Sequence, residues 1–174
     1  MKDNFDASFD RVMKSEGGYV WDKDDAGGET NLGVTAGAWA AFLGRPIESG
    51  EMKALTREQV KPFYRQMYWD KVKGDDLPKG VDYAVFDFAV NAGVARAAKF
   101  LQRCVGAVDD GVIGGGTLGK VAVTNKQRLL TSFADQKQRF YQGLATTNPS
   151  QQKFLKGWLT RVDQVQTAAE SMLA

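Results

Sequence analysis

Residues 5–35 read FDASFDRVMKSEGGYVWDKDDAGGETNLGVT. Phe5, Phe9, Val12 and Met13 recur at i, i+4, i+7 and i+8, the single apolar stripe of an amphipathic helix. Gly17-Gly18 follow at once, so the helix is expected to stop near Glu16. From residue 17 to 35 the chain is rich in Gly, Asp, Thr and Asn, with Tyr19, Val20 and Trp21 as its apolar content. That composition predicts an irregular loop or small β-hairpin near residues 18–35.

Downstream the helical period dominates. A short helix is expected from Thr35 to about Leu43, closed by Gly44. Thr56-x-x-Gln59 is a capping-box pattern that opens a helix toward Trp69, with a kink expected at Pro62. Val81, Ala84, Val85 and Phe88 form a buried stripe running to Asn91, and Gly93 breaks it. Another helix is expected over 94–105, and the glycine-rich run 106–119 is expected to be loop. Two long amphipathic helices, about 125–145 and 150–172, finish the chain, with Asn148-Pro149 as the cap-and-first-turn pair between them. The fold class is therefore mainly α, with one small irregular or β excursion.

Composition narrows the chemistry. With 174 residues, 43% hydrophobic and 25% charged, the chain suits one globular unit rather than a disordered or membrane-spanning one. It contains no histidine, so no histidine base, shuttle or metal ligand exists. Cys104 is its one cysteine, set among Phe100, Leu101 and Val105, and reads as core filler rather than nucleophile. Residues 1–87 hold 12 Lys+Arg against 16 Asp+Glu, and residues 88–174 hold 11 against 5. The basic second half suits an anionic polymer or merely solvated faces; no motif supports nucleic acid. No apolar run suits a signal peptide or a membrane span, so synthesis in the cytoplasm without an export address is expected.

Carboxylates are left to carry proton chemistry. Glu16, at the C-terminal end of its helix, would meet the negative end of the macrodipole, and partial burial would act in the same direction. Both effects favour the protonated form that a general acid needs. Asp25, nine residues on in a glycine-flanked polar loop, would stay solvated and charged. Such a contrasting pair is the usual equipment for glycoside cleavage, and Thr30 could hold a water by its hydroxyl. In a chain with 21 acids, a pair at this spacing is by itself more often surface.

The stretches Glu16-Gly17-Gly18-Tyr19 and Asp25-Ala26-Gly27-Gly28-Glu29-Thr30-Asn31-Leu32-Gly33-Val34-Thr35 resemble the signature of glycoside hydrolase family 108. That family contains N-acetylmuramidases of phage endolysins and secretion-associated bacterial lysozymes. The resemblance continues through Tyr68-Trp69-Asp70 and Asp87-Phe88-Ala89-Val90-Asn91-Ala92-Gly93. It then reaches a peptidoglycan-binding-like segment in Leu101-Gln102, Asp110-Gly111-Val112-Ile113-Gly114 and Gly157-Trp158-Leu159-x-Arg161. The resemblance implies a lysozyme-like helical fold, with a catalytic segment at 1–93 and a peptidoglycan-binding-like segment at 94–174 packed as one compact unit. It implies hydrolysis of the β-1,4 bond between N-acetylmuramic acid and N-acetylglucosamine. Glu16 would be the general acid, and Asp25 and Thr30 would position water in an inverting reaction. The Asp-to-Thr spacing is one residue shorter than in phage-type lysozymes, which bears on Thr30 more than on Asp25.

Tyr19 either lines a sugar cleft or anchors its loop. Asn91 either contacts substrate or Glu16, or is a structural amide. Tyr141 and Trp158 suit sugar stacking, although aromatic residues at helical spacing usually build core. No metal and no cofactor are implied. The expected partners are peptidoglycan glycan strands and a holin or secretion channel for export, so that a cytoplasmic, monomeric protein acts on periplasmic wall. A non-catalytic peptidoglycan-binding or secretion accessory module is the alternative, as is a lytic transglycosylase using Glu16 alone. Gly114-x-Gly116-x-x-Gly119 imitates a dinucleotide fingerprint but lacks a βαβ context. Asp22-x-Asp24 hints at a calcium loop, but its twelfth position is Gly33.

Overall fold

The computed structural model describes residues 4–21 and 28–173. Asp25 and the Asp22-x-Asp24 motif lie outside the described residues. The chain divides into two compact units, Asp6–Met67 and Met1–Phe5 with Tyr68–Ala174.

The Asp6–Met67 unit starts within helix α1 (Asn4–Met13). Phe9, Val12 and Met13, the apolar stripe seen in the sequence, are buried. A three-stranded antiparallel sheet follows, in the order β1 (Val20–Trp21), β2 (Glu29–Asn31), β3 (Val34–Thr35). Val20 pairs with Thr30, Trp21 with Glu29, Thr30 with Thr35 and Asn31 with Val34. The expected excursion is thus a small β-sheet. Thr35 then caps helix α2 (Ala36–Leu43) by accepting from the Ala38 N–H, and Gly44 closes it in the left-handed conformation.

Helix α3 (Glu51–Ala54) is held to β2 by Asn31, whose buried side-chain amide donates to the Met52 carbonyl at 2.8 Å. Glu51 receives the Trp39 indole N–H and the Arg45 guanidinium. That guanidinium, with the Glu48 N–H, holds the Glu51 carboxyl down at about 2. Helix α4 (Arg57–Tyr64) opens with the capping box expected at Thr56 and Gln59. Pro62 is accommodated inside it, and a π-helical turn (Arg65–Trp69) follows.

The second unit is helical and built around α5 (Val81–Ala92). Residues Val81 to Ala89 are all buried, which is what a helix covered on every side requires. Gly93 ends α5 and starts α6 (Val94–Val105). Helix α8 (Lys126–Thr147) begins at the Asn125 cap, and α9 (Gln152–Ser171) follows a 3-10 turn at Pro149–Gln151. Phe88, Phe100, Phe133 and Phe140 meet mostly edge to face in the core of this unit, with centroids 5.0–6.0 Å apart.

One expectation fails. The run 106–119 is not loop to its end, because helix α7 (Gly115–Val123) starts inside it. Each internal glycine costs such a helix about 1 kcal/mol relative to alanine. Burial of Thr117 and Val121 offsets that, and the buried Gln102 amide bonds to Asp110, Val112 and Thr117. Tertiary contacts here override local propensity.

Candidate active site

Helix α1 gives way to a turn through Ser15, which leaves Glu16 half-buried just past its end. Arg57 Nη2 reaches the Met13 carbonyl at 3.5 Å, a cation at the negative end of α1. The carboxylate then meets the β2–β3 turn. Leu32 and Gly33, the two residues of that turn, have φ of 49° and 75°. A turn of this kind needs positive φ at both central residues, which matches the right-handed twist of the paired strands. Leucine adopts this conformation only with strain, and strain of this sort collects at functional sites.

The Tyr64 hydroxyl holds the turn by donating to the Leu32 carbonyl at 2.8 Å. Its ring is buried and fixed edge to face by Phe9 and Phe63, with centroids 5.6 and 5.7 Å away. A Cβ on Gly33 would overlap the Tyr64 hydroxyl and stand 2.6 Å from Glu16 Oε2. The carboxylate and the phenol therefore close around the same backbone atom, in space that only a glycine leaves open. Such an arrangement fixes the position of the Glu16 carboxylate.

Thr30 lies in the middle of β2, half-buried, two residues before this turn. Tyr19, just ahead of β1, donates its hydroxyl to Glu29 Oε1 at 2.5 Å, and that bond raises the Tyr19 pKa. Its hydroxyl thus ties the loop after Glu16 to β2. Glu16, Tyr19 and Thr30 share one unit. Asn91, Tyr141 and Trp158 belong to the other. Asn91 is exposed near the end of α5 and donates its amide N–H to the Asp87 carbonyl at 2.7 Å. Tyr141 is buried and stacks on Trp158 with centroids 5.1 Å apart and planes at 26°.

The sequence pattern holds Gly33 only as part of the family signature and gives no role to Tyr64 or Arg57. Gly33 carried only the weak turn signal of any glycine, since Leu32-Gly33 is not one of the pairs that mark a two-residue hairpin loop and Glu29-Thr30-Asn31 is not a β-prone run. Tyr64 and Arg57 carried none, because their partners lie more than thirty residues away in the chain.

The second unit holds a buried ion cluster. Asp87 of α5, 2% exposed, accepts from Arg161 of α9 at 2.8 Å and faces Lys137 Nζ of α8 at 3.5 Å. Burial pushes the Lys137 ammonium below its ordinary pKa, and Asp87 opposes that shift. Two blocks noted in the sequence, Asp87–Gly93 and Gly157–Arg161, are joined by this pair. Cys104 is half-buried, accepts from the Gln136 amide, and has its thiol pKa raised by burial, which suits packing rather than attack. Among the described residues no cluster of acids and cysteine suits a metal ion, and no helix is long and apolar enough to cross a membrane.

Residues 9–93 match the family described as glycosyl hydrolase 108, and residues 96–163 match one described as a predicted peptidoglycan domain. A solved structure of SagA from Brucella abortus is 41% identical, with a TM-score of 0.84, covering 99% of this chain and 97% of that one. No curated protein matches.

Proposed function

Because the chain belongs to glycosyl hydrolase family 108 and carries a peptidoglycan domain behind its hydrolase segment, we propose that this peptidoglycan hydrolase is a lysozyme-type N-acetylmuramidase. The bond cut is the β-1,4 link from N-acetylmuramic acid to N-acetylglucosamine. Glu16 protonates the departing glycosidic oxygen as the C1–O bond breaks. Thr30 holds a water on the opposite face of the sugar. Asp25 takes a proton from that water as its oxygen bonds to C1, which inverts the anomeric centre. The placement of Glu16 Oε2 against Gly33, beside the Tyr64 hydroxyl, is the observation that carries this reading. A general acid works only when its proton is held at a fixed point, and packing on both sides fixes this one.

Tyr19 shapes the loop after Glu16 through Glu29, and Asn91, Tyr141 and Trp158 contribute to substrate binding. The 1–93 segment cuts and the 94–174 segment holds the wall. We place synthesis in the cytoplasm and action in the periplasm, as a monomer passing through a holin or secretion channel, for host-cell lysis or for wall remodelling during secretion. Expression without a partner pore should then leave cells intact until the inner membrane is permeabilised.

Mass spectrometry of products from purified peptidoglycan tests the chemistry. Wild-type protein should release fragments with reducing N-acetylmuramic ends, and Glu16→Gln should release none while melting at the same temperature. Asp25→Asn should lose most of the rate, and Thr30→Ala less. Anhydro ends would instead make it a lytic transglycosylase and remove the role of Asp25. Binding to the polymer without any fragments would make it an accessory module.

A further inference from the structure

The rings of the helical unit do not stop at its core. Tyr141, on α8, is buried and contacts Phe140 at 5.2 Å and Phe88 at 6.3 Å. Trp158, on α9 and half-buried, stacks on Tyr141. Phe154 lies one helical turn before Trp158 on the same face, its ring centroid 5.9 Å away and its plane tilted by 36°. It is 47% exposed. A row of rings therefore starts in the core and ends in solvent.

A phenylalanine left in water forgoes the free energy that burial would give, so a fixed, exposed aromatic surface invites a ligand. Rigid rings offer flat apolar area at a low entropic cost. The C–H face of a pyranose presents a matching flat apolar surface, and its hydroxyl rim stays wet. Tyr141 behind Trp158 holds that ring in one orientation. Lys153 Nζ sits 5.0 Å from the Phe154 centroid, a surface cation–π contact weak enough to be displaced. Both rings fall inside the stretch that matches a predicted peptidoglycan domain, and of that polymer's two parts the flat sugar rings of the glycan strand are what a flat aromatic surface fits.

We propose that Phe154 and Trp158 form a glycan-holding surface on the C-terminal unit, which stacks on sugar rings of the wall and keeps the enzyme on the polymer without taking part in bond cleavage. The proposal rests on the peptidoglycan reading above.

The test uses the full chain with Phe154→Ala, a substitution at an exposed position. Cosedimentation is measured on intact peptidoglycan and on glycan stripped of its peptides, with Glu16→Gln present so that the polymer survives. Retention should fall about tenfold on both polymers, the scale of losing one aromatic contact. Without the Glu16 change, Phe154→Ala should slow digestion of whole wall and leave the rate on short soluble glycan fragments intact. Trp158→Phe, which keeps a ring, should retain most of the binding.

Unchanged retention overturns the proposal. So does a loss confined to peptide-bearing wall, which would mean peptide recognition. Equal loss of rate on short fragments also overturns it, because the rings would then serve cleavage itself. If the wild type cuts nothing but its retention still depends on Phe154, the surface stands and the hydrolase reading falls.

Discussion

Glu16 and Gly33 meet through space that a side chain would fill: Oε2 of Glu16 stands 2.6 Å from where a Cβ on Gly33 would sit. The backbone there has a φ of 75°, so glycine is required twice over, by conformation and by room. The relation sets the β2–β3 turn against the Glu16 carboxylate, so the turn helps to place that side chain.

Gly33→Ala should therefore be severe. The left-handed conformation alone costs an alanine about 1–2 kcal/mol. Overlap with Glu16 and the Tyr64 hydroxyl adds about 1–3 kcal/mol. Displacement of the carboxylate should cut the rate about a hundredfold, the usual effect of misplacing a reacting group by about 1 Å. Gly28→Ala is the matched control, since φ there is 64° but among the described residues nothing lies within 4 Å of the added atom. Thermal melts and wall-digestion rates on both variants check this, and equal effects would remove the special standing of Gly33.

Tyr64→Phe deletes one hydroxyl and leaves the buried ring. Loss of the bond to the Leu32 carbonyl should cost about 0.5–1.5 kcal/mol. The released turn carries Gly33 away from Glu16, so turnover should fall by more than this small destabilisation explains. A circular-dichroism melt paired with kcat makes the comparison, and unchanged kcat would leave Tyr64 a purely structural residue.

Asp87→Asn strands Lys137, only 3% exposed, without its carboxylate. Breaking a buried pair from one side costs about 3–5 kcal/mol. Adding Lys137→Met should recover part of that loss, because no uncompensated ammonium remains. Urea unfolding of the two single variants and the double variant measures the coupling, and strictly additive effects would show that the two charges act independently.

Tyr141 links stability to alkaline pH. Burial first, and the Asp87 charge second, push its phenol up to about 12, against an ordinary value of 10.0. The folded state thus keeps a proton that the unfolded chain releases. Its contribution is whole below pH 10 and disappears as pH rises through about 12. Wild-type stability should accordingly fall across that window more steeply than that of Tyr141→Phe, which has nothing to titrate there. Parallel slopes in chemical unfolding would count against this assignment.

The amino-acid sequence by itself determined most of what is local. The stripe of Phe9, Val12 and Met13, the capping box at Thr56 and Gln59, the stop at Gly44 and the break at Gly93 each depend on neighbours within about two helical turns. All are present where the pattern puts them. The place of Glu16, just past the end of that apolar stripe, was legible in the same way. Only the tertiary structure decided what that acid faces. Gly33 is seventeen positions further on, and Tyr64 reaches Leu32 across thirty-two. The joining of Asp87 to Arg161 spans seventy-four, and α7 forms through glycines because Gln102 and buried side chains outweigh their reluctance. Periodicity records which face of an element turns inward. It does not record which other element lies there, because that is settled by packing and by the pairing of buried polar groups over the whole chain.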